Sequence, residues 1–123
     1  MPIHQEVTIN KPPKAVYEIL TTGKKFAALG GGAAKVSAKP GGAISLFDGY
    51  TTGFNVELLP NKRVVQAWRA SDWPKGVWSI VTFQLKKDGK GTALTFDQVG
   101  HPASEESSLF SGWYDFYWKP MNG

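Results

Sequence analysis

The sequence contains no cysteine, and it has only two histidines and two arginines among its 123 residues. Without cysteine the chain has no disulfide, no thiolate nucleophile and no cysteine-ligated metal. The two histidines, His4 and His101, lie far apart, and no spacing around either predicts the three or four converging ligands that a metal needs. Because arginine is scarce, the net charge of +4 is poor evidence for nucleic-acid binding. We therefore expect no metal, no cofactor and no nucleic-acid partner.

Long apolar runs are also missing. No segment approaches the ~20 apolar residues of a membrane-spanning helix, and the start Met1–Glu6 lacks the basic and apolar regions of a signal peptide. We therefore expect a cytoplasmic protein that does not insert into membranes. With 41% hydrophobic and 20% charged side chains, the composition predicts one globular domain over residues 1–123. Its assembly is left open between monomer and homodimer.

Aromatic side chains, in contrast, are abundant: 5 Trp, 4 Tyr and 7 Phe. Six of them fall between Phe110 and Trp118, near the end of the chain. Ser104 predicts a helix N-cap just before this cluster, and the acids Glu105 and Glu106 suit the first turn of a helix. The sequence therefore predicts a final helix with one broad apolar face, made by Leu109, Trp113, Phe116, Tyr117 and Pro120.

The preceding sequence predicts a strand, a helix and then an antiparallel meander. Alternation over Ile3–Ile9 is typical of a half-buried strand. Asn10 predicts the start of a helix that ends near Gly23, and Phe26 belongs to a second short helix. Strand-like runs then follow, separated by short turn sequences such as Asp48-Gly49 and Asp88-Gly89. Together these elements predict an α+β fold in which a curved antiparallel β-sheet wraps around a C-terminal α-helix, with one or two short helices after the first strand.

Strand alternation also predicts which side chains face the final helix. The expected inward sets are Phe54, Val56 and Leu58; Val64, Gln66 and Trp68; Val77, Ser79, Val81, Phe83 and Leu85; and Leu94, Phe96 and Gln98. None of these residues is Asp, Glu, His or Lys. Because general acid–base catalysis needs a titratable group inside the site, this composition argues against an enzyme.

Several motifs resemble those of a known family. They are Gly42–Gly49 (Gly-Ala-Ile-Ser-Leu-Phe-Asp-Gly), Gly53 with Glu57–Arg69, Trp73-Pro74-Lys75-Gly76, Thr92–Thr95, and Gly112-Trp113 followed by Phe116–Pro120. The order of elements resembles the START/Bet v 1-like (SRPBCC) helix-grip fold. Within that fold, the motifs resemble the family named after the C-terminal domain of the activator of the heat-shock protein 90 ATPase, and the resemblance covers essentially the whole chain. His101 departs from the family pattern, in which an aliphatic residue is more usual.

The inward face and the resemblance lead to a first hypothesis. A non-enzymatic domain of this fold binds a hydrophobic small molecule between the sheet and the C-terminal helix, since ligand pockets are largely apolar with a few polar groups. The hypothesis requires a cavity of at least ~300 Å³. The expected ligand-binding residues are Phe54, Trp68, Phe83, Phe96, Trp113 and Tyr117, with Gln66 and Gln98 orienting the ligand.

Two alternatives remain open. The family name implies a co-chaperone that interacts with heat-shock protein 90, and the lysine groups with exposed aromatics such as Trp73 or Trp78 would form that surface. The wider fold also includes polyketide cyclase-like enzymes. That alternative requires Asp48, Asp97 or His101 to point into the cavity.

Overall fold

Alternating strand sequences and tight turns build a single antiparallel sheet. The computed structural model describes residues 2–123. Its strands are β1 (Ile3–Ile9), β2 (Lys35–Val36), β3 (Ala43–Leu46), β4 (Thr51–Leu59), β5 (Arg63–Ala70), β6 (Ser79–Asp88) and β7 (Gly91–Val99). Every strand pairs with its neighbours in antiparallel orientation, in the order β1-β7-β6-β5-β4-β3-β2. The first strand therefore lies beside the last. Short turns connect β3 to β4, β4 to β5 and β6 to β7, whereas a longer loop, residues 71–78, connects β5 to β6.

Two short helices follow β1, and a longer helical segment ends the chain. The helices are α1 (Pro13–Thr21), α2 (Gly23–Ala27), α3 (Glu106–Trp113), a π-helical turn (Tyr114–Trp118) and α4 (Lys119–Asn122). The last three are continuous, and together they form the C-terminal helix against which the curved sheet packs. The predicted α+β helix-grip fold is confirmed. No helix within residues 2–123 is long and apolar enough to cross a membrane.

Asn10 has a different role from the predicted helix cap. Helix α1 begins at Pro13 without a side-chain cap. The backbone N–H of Asn10 donates to Asn122 Oδ1 at 2.7 Å, and the Asn10 side-chain amide donates to the Asn122 carbonyl at 3.0 Å. Lys11 Nζ donates to the carbonyl of Met121. These contacts tie the end of β1 to α4.

The predicted inward faces are correct for β5, β6 and β7 but wrong for the first half of β4. Phe54 and Val56 are 43% and 48% exposed on the outer face, whereas Asn55 between them is fully buried. Asn55 is stable there because its side-chain amide donates to the carbonyls of Ser37 and Lys39, at 2.6 and 3.2 Å. Between Asn55 and Glu57 the pairing with β5 shifts by one residue, so the alternation changes sides.

The π-helical turn decides which aromatic side chains of the C-terminal helix face the sheet. In such a turn hydrogen bonds join residues five apart, and the N–H of Lys119 accordingly donates to the carbonyl of Tyr114. Trp113 and Trp118 are thus brought to the same face, where both are buried and their rings stack with centroids 6.0 Å apart. Phe116, which a regular α-helix places on the apolar face, is 55% exposed.

The start of the C-terminal helix also differs from the prediction. Ser104 lies within a 3₁₀ turn (Ala103–Glu105), and α3 begins after it with no side-chain cap. The 3₁₀ turn satisfies its own backbone, since the N–H of Glu105 donates to the carbonyl of Pro102 at 3.0 Å. A hydroxyl cap is therefore unnecessary at this helix start.

Replacing two glycines by alanine should have opposite effects on the free energy of unfolding. A Cβ at Gly53 in β4 would lie 1.8 Å from the carbonyl oxygen of Ala67 on β5, whereas a Cβ at Gly112 in α3 would meet nothing closer than 3.8 Å. We expect Gly53→Ala to lower the free energy of unfolding by about 3 kcal/mol or more through a backbone clash. Gly112→Ala should raise it by up to ~1 kcal/mol, because alanine favours a helix. Urea denaturation measures both, and equal effects of the two substitutions would contradict the packing described.

Candidate functional site

A cavity of about 320 Å³ lies between the C-terminal helix and one end of the sheet. Its floor comes from the start of β4 and the end of β5, and its roof from α3 and the π-helical turn. The volume is at the small end of the ~300–1,000 Å³ range typical of ligand pockets. The lining residues are Gly31, Phe47, Tyr50, Thr51, Trp68, Ala70, Trp73, Glu105, Ser108, Leu109, Gly112, Trp113, Phe116 and Tyr117.

Large rings form the walls of this cavity, and small residues leave the space between them. Trp68 and Trp73 pack against each other with centroids 5.7 Å apart, and Trp68 contacts Trp113 at 5.2 Å. Ala70 on β5 and Gly112 on α3 also line the cavity. Since neither has a bulky side chain, neither fills the space beside the rings.

Buried hydrogen bonds fix the orientation of the Trp113 ring. Trp113 Nε1 donates to Gln98 Oε1 at 2.8 Å, and Gln98 Nε2 donates to Ser79 Oγ at 3.0 Å. Ser79 Oγ in turn donates to the carbonyl of Trp68 at 2.6 Å. Every polar group in this series has a partner. Hydrogen bonds as well as apolar contacts therefore hold this wall in place.

Tyr117 completes the wall as a neutral hydroxyl. Trp68 Nε1 donates to the Tyr117 hydroxyl oxygen at 3.4 Å. Burial raises the pKa of Tyr117 well above its usual value, because the phenolate would lose its hydration. The group therefore keeps its proton over the physiological pH range and acts as a hydrogen-bond donor, not as a base.

Thr51 contributes a second hydroxyl. The residue is fully buried at the start of β4, and its Oγ1 has no hydrogen-bond partner within residues 2–123. A buried polar group in that condition costs about 1–3 kcal/mol. Thr51 lies in the cavity wall, but neighbouring protein atoms cover its hydroxyl.

The mouth of the cavity is shaped by the turn that joins β3 to β4. Phe47 and Asp48 both have left-handed backbone angles, with φ of 53° and 59°. Ala33 holds this turn, because its N–H donates to Asp48 Oδ1 at 2.8 Å and its carbonyl accepts from the Asp48 N–H at 2.9 Å. The turn presents the Phe47 ring to Phe116 across the mouth, with centroids 5.9 Å apart. The Asp48-Gly49 sequence does join two paired strands, as predicted.

The predicted ligand-binding residues divide into three groups. Trp68, Trp113 and Tyr117 line the cavity. A second group is buried behind the cavity: Phe83, Phe96, Gln66 and Gln98. The two phenylalanines pack in the core. Gln66 donates a hydrogen bond to Asn55, and Gln98 bonds to Trp113 and Ser79.

Phe54 is the member of the predicted set that the structure contradicts. It lies on the outer face of the sheet, where its ring packs against Trp78 with centroids 6.0 Å apart. Because the inward positions of this half of β4 belong to Thr51, Gly53 and Asn55, the Phe54 side chain cannot reach the cavity.

Trp73 and Thr51 are wall residues that the sequence interpretation missed. Trp73 was predicted to be exposed, but it is 5% exposed and lies in the cavity wall. Its loop is held from outside the sheet, because the guanidinium of Arg69 donates to the Trp73 carbonyl at 2.9 Å. Trp73 was missed because strand alternation does not predict the orientation of a loop residue. Thr51 was missed because the inward side of β4 was assigned to the wrong residues.

The groups that the enzyme alternative requires lie elsewhere. Asp48 is bonded to Ala33, and Asp97 lies on the outer face, where it contacts His4 Nδ1 at 2.6 Å. The side chain of His101 is buried, and its Nε2 contacts Glu106 Oε1 at 3.1 Å. None of the three lines the cavity. Among the residues that the structure describes, no three His, Asp or Glu side chains are grouped so that they could hold a metal ion.

Sequence comparison relates the chain to activators of a chaperone. Residues 10–121 match the family described as Activator of Hsp90 ATPase homolog 1-like protein. The human Activator of 90 kDa heat shock protein ATPase homolog 1 is 30% identical over 107 residues, which are 87% of this chain and 32% of the human protein. A homologue of that activator in Dictyostelium discoideum is 33% identical over 102 residues, 82% of this chain and 27% of the relative. The chain thus spans about a quarter to a third of these relatives.

Solved structures agree with this relation. An HSP90 activator from Plasmodium falciparum superposes with a TM-score of 0.86 at 25% identity, covering 94% of this chain and 89% of that one. The Aha1 dimer from Colwellia psychrerythraea superposes with a TM-score of 0.78 at 23% identity, covering 94% and 90%. At 23% identity, the likeness to the second structure shows a shared fold and nothing more.

We predict that the Gln98 side chain is essential for the cavity wall. Gln98→Leu removes the acceptor of Trp113 Nε1, so the buried Trp113 N–H is left without a hydrogen bond, while Ser79 Oγ loses one of its two partners. The free energy of unfolding should fall by about 1–3 kcal/mol in urea denaturation. Gln84→Leu, at an exposed position of β6, is the matched control and should change it by less than ~0.5 kcal/mol. Equal losses in both variants would show that Gln98 does not hold the wall.

Proposed function

The chain belongs to the family of Activator of Hsp90 ATPase homolog 1-like proteins, and from that premise we propose that it binds a small hydrophobic molecule in the cavity between sheet and helix. The observation that carries the proposal is the cavity of about 320 Å³ beneath a tightly packed aromatic core. Further along the C-terminal helix, Trp118 and Met121 fill the space between helix and sheet, and both are buried. A space left open beside such close packing supports a binding role.

The chemistry of the walls supports the same proposal. Aromatic rings dominate the lining, and its polar side chains are few. They are one threonine, one serine, two tyrosines and one glutamate, Glu105. No lysine, arginine or histidine side chain lines it. Apolar walls with a small number of oriented polar groups are how small-molecule pockets are usually built.

Filling the cavity should abolish binding without harming the fold. In Gly112→Leu the new side chain enters the space above Gly112, while Gly112→Ala adds one methyl group and serves as the matched control. We titrate 2-ethylnaphthalene into the ¹⁵N-labelled chain and follow the indole N–H signals by NMR. The signals of Trp68 and Trp113 should shift, while that of Trp78, on the outer face, should stay in place.

The two variants make the result specific to the cavity. Gly112→Leu should weaken binding at least tenfold, and Gly112→Ala should leave it within about twofold. The ligand-binding proposal fails if the wild-type indole signals do not respond to 2-ethylnaphthalene. It fails equally if Gly112→Leu binds the probe as tightly as wild type.

A second candidate function is interaction with Hsp90, and a feature of the outer sheet face favours it. Phe54, Ala67, Ile80 and Val99 pair in register across four adjacent strands, which places their outward side chains in one apolar row. Phe54, Ile80 and Val99 are each about 40% exposed, as is Trp78 beside them. Exposed apolar patches of this kind mark protein interaction sites.

The surroundings of this row suit a protein partner. Arg69 lies over the Trp78 ring, 5.8 Å from its centroid, and tryptophan and arginine are the residues most enriched at binding hot spots. Further along the same face of β6 stands the exposed Lys86. The human relative and the Plasmodium protein are both activators of Hsp90, which supports Hsp90 as the partner, although the chain covers only about a third of the human protein.

Substitution of Trp78 tests this second candidate. In an ATPase assay with Hsp90 from the organism that encodes the chain, the wild type should stimulate turnover, and Trp78→Ala should need at least about tenfold more protein for the same effect. Phe110→Ala is the matched control, since Phe110 is 53% exposed on the C-terminal helix, away from the outer row. Absence of binding and stimulation at low and high salt would exclude the co-chaperone role.

A further inference from the structure

A second concave surface lies at the other end of the sheet from the cavity. The cavity borders the start of β4 and the end of β5, whereas this open groove of about 830 Å³ borders the end of β4 and the start of β5. The end of β6, the start of β7 and the first residue of α1 complete it. None of the groove residues lines the cavity or belongs to the outer apolar row, so the groove is a separate surface.

Positive charge dominates this groove. The charged side chains that line it are all cationic: Lys62, Arg63, Lys86 and Lys87. Two of them come from the turn and strand around the β4–β5 connection, and two come from the end of β6. The backbone holds these segments together, because the N–H of Leu85 donates to the carbonyl of Lys62 at 2.8 Å and Arg63 pairs with Gln84 across β5 and β6. The fold therefore gathers four cations around one groove.

Most of these cations have no counter-ion in the protein. Arg63 Nε donates to Glu57 Oε1 at 2.7 Å, but none of the three lysines forms an ion pair within residues 2–123. All three lysines are exposed. Like charges that are held near one another repel and lower the stability of the folded chain. An anion that binds among them relieves this repulsion in addition to its own attraction to each lysine.

The uncharged part of the lining distinguishes between kinds of anionic partner. Leu59 is 38% exposed, and Pro13, Pro60 and Ala93 add further apolar surface between the cations. No aromatic ring of residues 2–123 lines the groove, so nucleic-acid bases have no surface there on which to stack. A lipid surface is flat and binds apolar faces that can enter it, which a concave groove cannot do. Carboxylates with apolar side chains between them match both features of the groove.

From these observations we propose that the groove binds an acidic segment of a partner protein. The carboxylates of the segment contact the three lysines and Arg63, and an apolar side chain between them packs on Leu59. Because the lysines are exposed to solvent, the attraction speeds association and weakens as the salt concentration rises. This inference goes beyond the two proposed functions and depends on neither of them.

The test measures the fluorescence anisotropy of a fluorescein-labelled peptide of sequence DELEDLDE, titrated with the full chain at low salt. The wild type should bind it, and Lys62→Glu should weaken binding at least about tenfold, because a repulsion replaces an attraction. Lys62→Arg keeps the charge and should bind within about twofold. Lys75→Glu is the matched control, since Lys75 is also exposed and has no ion pair within residues 2–123, but lies in the β5–β6 loop at the other end of the sheet. It too should bind within about twofold.

Two altered peptides test the two features of the groove separately. The amide peptide NQLQNLNQ should bind at least about tenfold more weakly than DELEDLDE, because it has no carboxylate. The peptide DESEDSDE, in which serine replaces leucine, should also bind more weakly, because it has no apolar side chain to pack on Leu59. Equal binding of DELEDLDE and either altered peptide would contradict the proposed partner chemistry.

Further measurements separate the remaining results. Lys62→Glu should unfold at the same or a higher urea concentration than wild type, since it relieves repulsion among the lysines, so lost binding cannot be ascribed to misfolding. The proposal is refuted if DELEDLDE does not bind the wild type. It is refuted as well if Lys62→Glu and Lys75→Glu weaken binding equally, because net charge alone then explains the effect. Tighter binding of oligothymidylate or of phosphatidylserine vesicles than of the peptide, lost in Lys62→Glu, would assign the groove to a nucleic acid or a membrane instead.

Discussion

The position of the Trp113 ring is the constraint on which the rest of this structure depends. The ring contacts Phe96 and Tyr117 with centroids 4.2 and 4.3 Å apart, and its N–H is bonded to Gln98 at 2.8 Å. Aromatic contacts set the distance between helix and sheet, while the single hydrogen bond sets the rotation of the ring. One side of Trp113 therefore belongs to the solid core, and the other side is a wall of the cavity. Close packing and open space share a boundary at this residue.

Much of this architecture could be predicted because it depends on local periodicity and turn chemistry. Residues of β6 and β7 alternate in burial, so the inward positions of Phe83, Phe96 and Gln98 could be identified from sequence alone. In β5 the alternation is ambiguous, and the inward position of Trp68 followed from the bulkier side of the strand. The β4 prediction failed because the inward position is taken by Asn55, whose bonds to Ser37 and Lys39 cannot be seen without the tertiary structure. The cavity itself could not be located, since its walls come from β4, β5 and the C-terminal helix, which are far apart in sequence.

The two proposed activities use opposite sides of one sheet. The cavity lies on the concave side, and the apolar row of Phe54, Ile80 and Val99 lies on the outer side. Arg69 stands between them, because the same guanidinium supports the Trp73 loop and lies over Trp78. Arg69 is thus common to both sides, while the other residues of the cavity and of the outer row are separate.

The π-helical turn has a consequence for the two ends of the C-terminal helix. It divides the helix into a first segment before the turn and a second segment that begins with Trp118, and it keeps Trp113 and Trp118 on one buried face. The first segment, with Leu109 and Trp113, borders the cavity, while the second is anchored to β1 through the bond of 2.8 Å from Trp118 Nε1 to Gln5 and through Asn122. The contacts of the second segment with β1 thus help to fix where Trp113 stands against the sheet, and with it the position of the cavity wall.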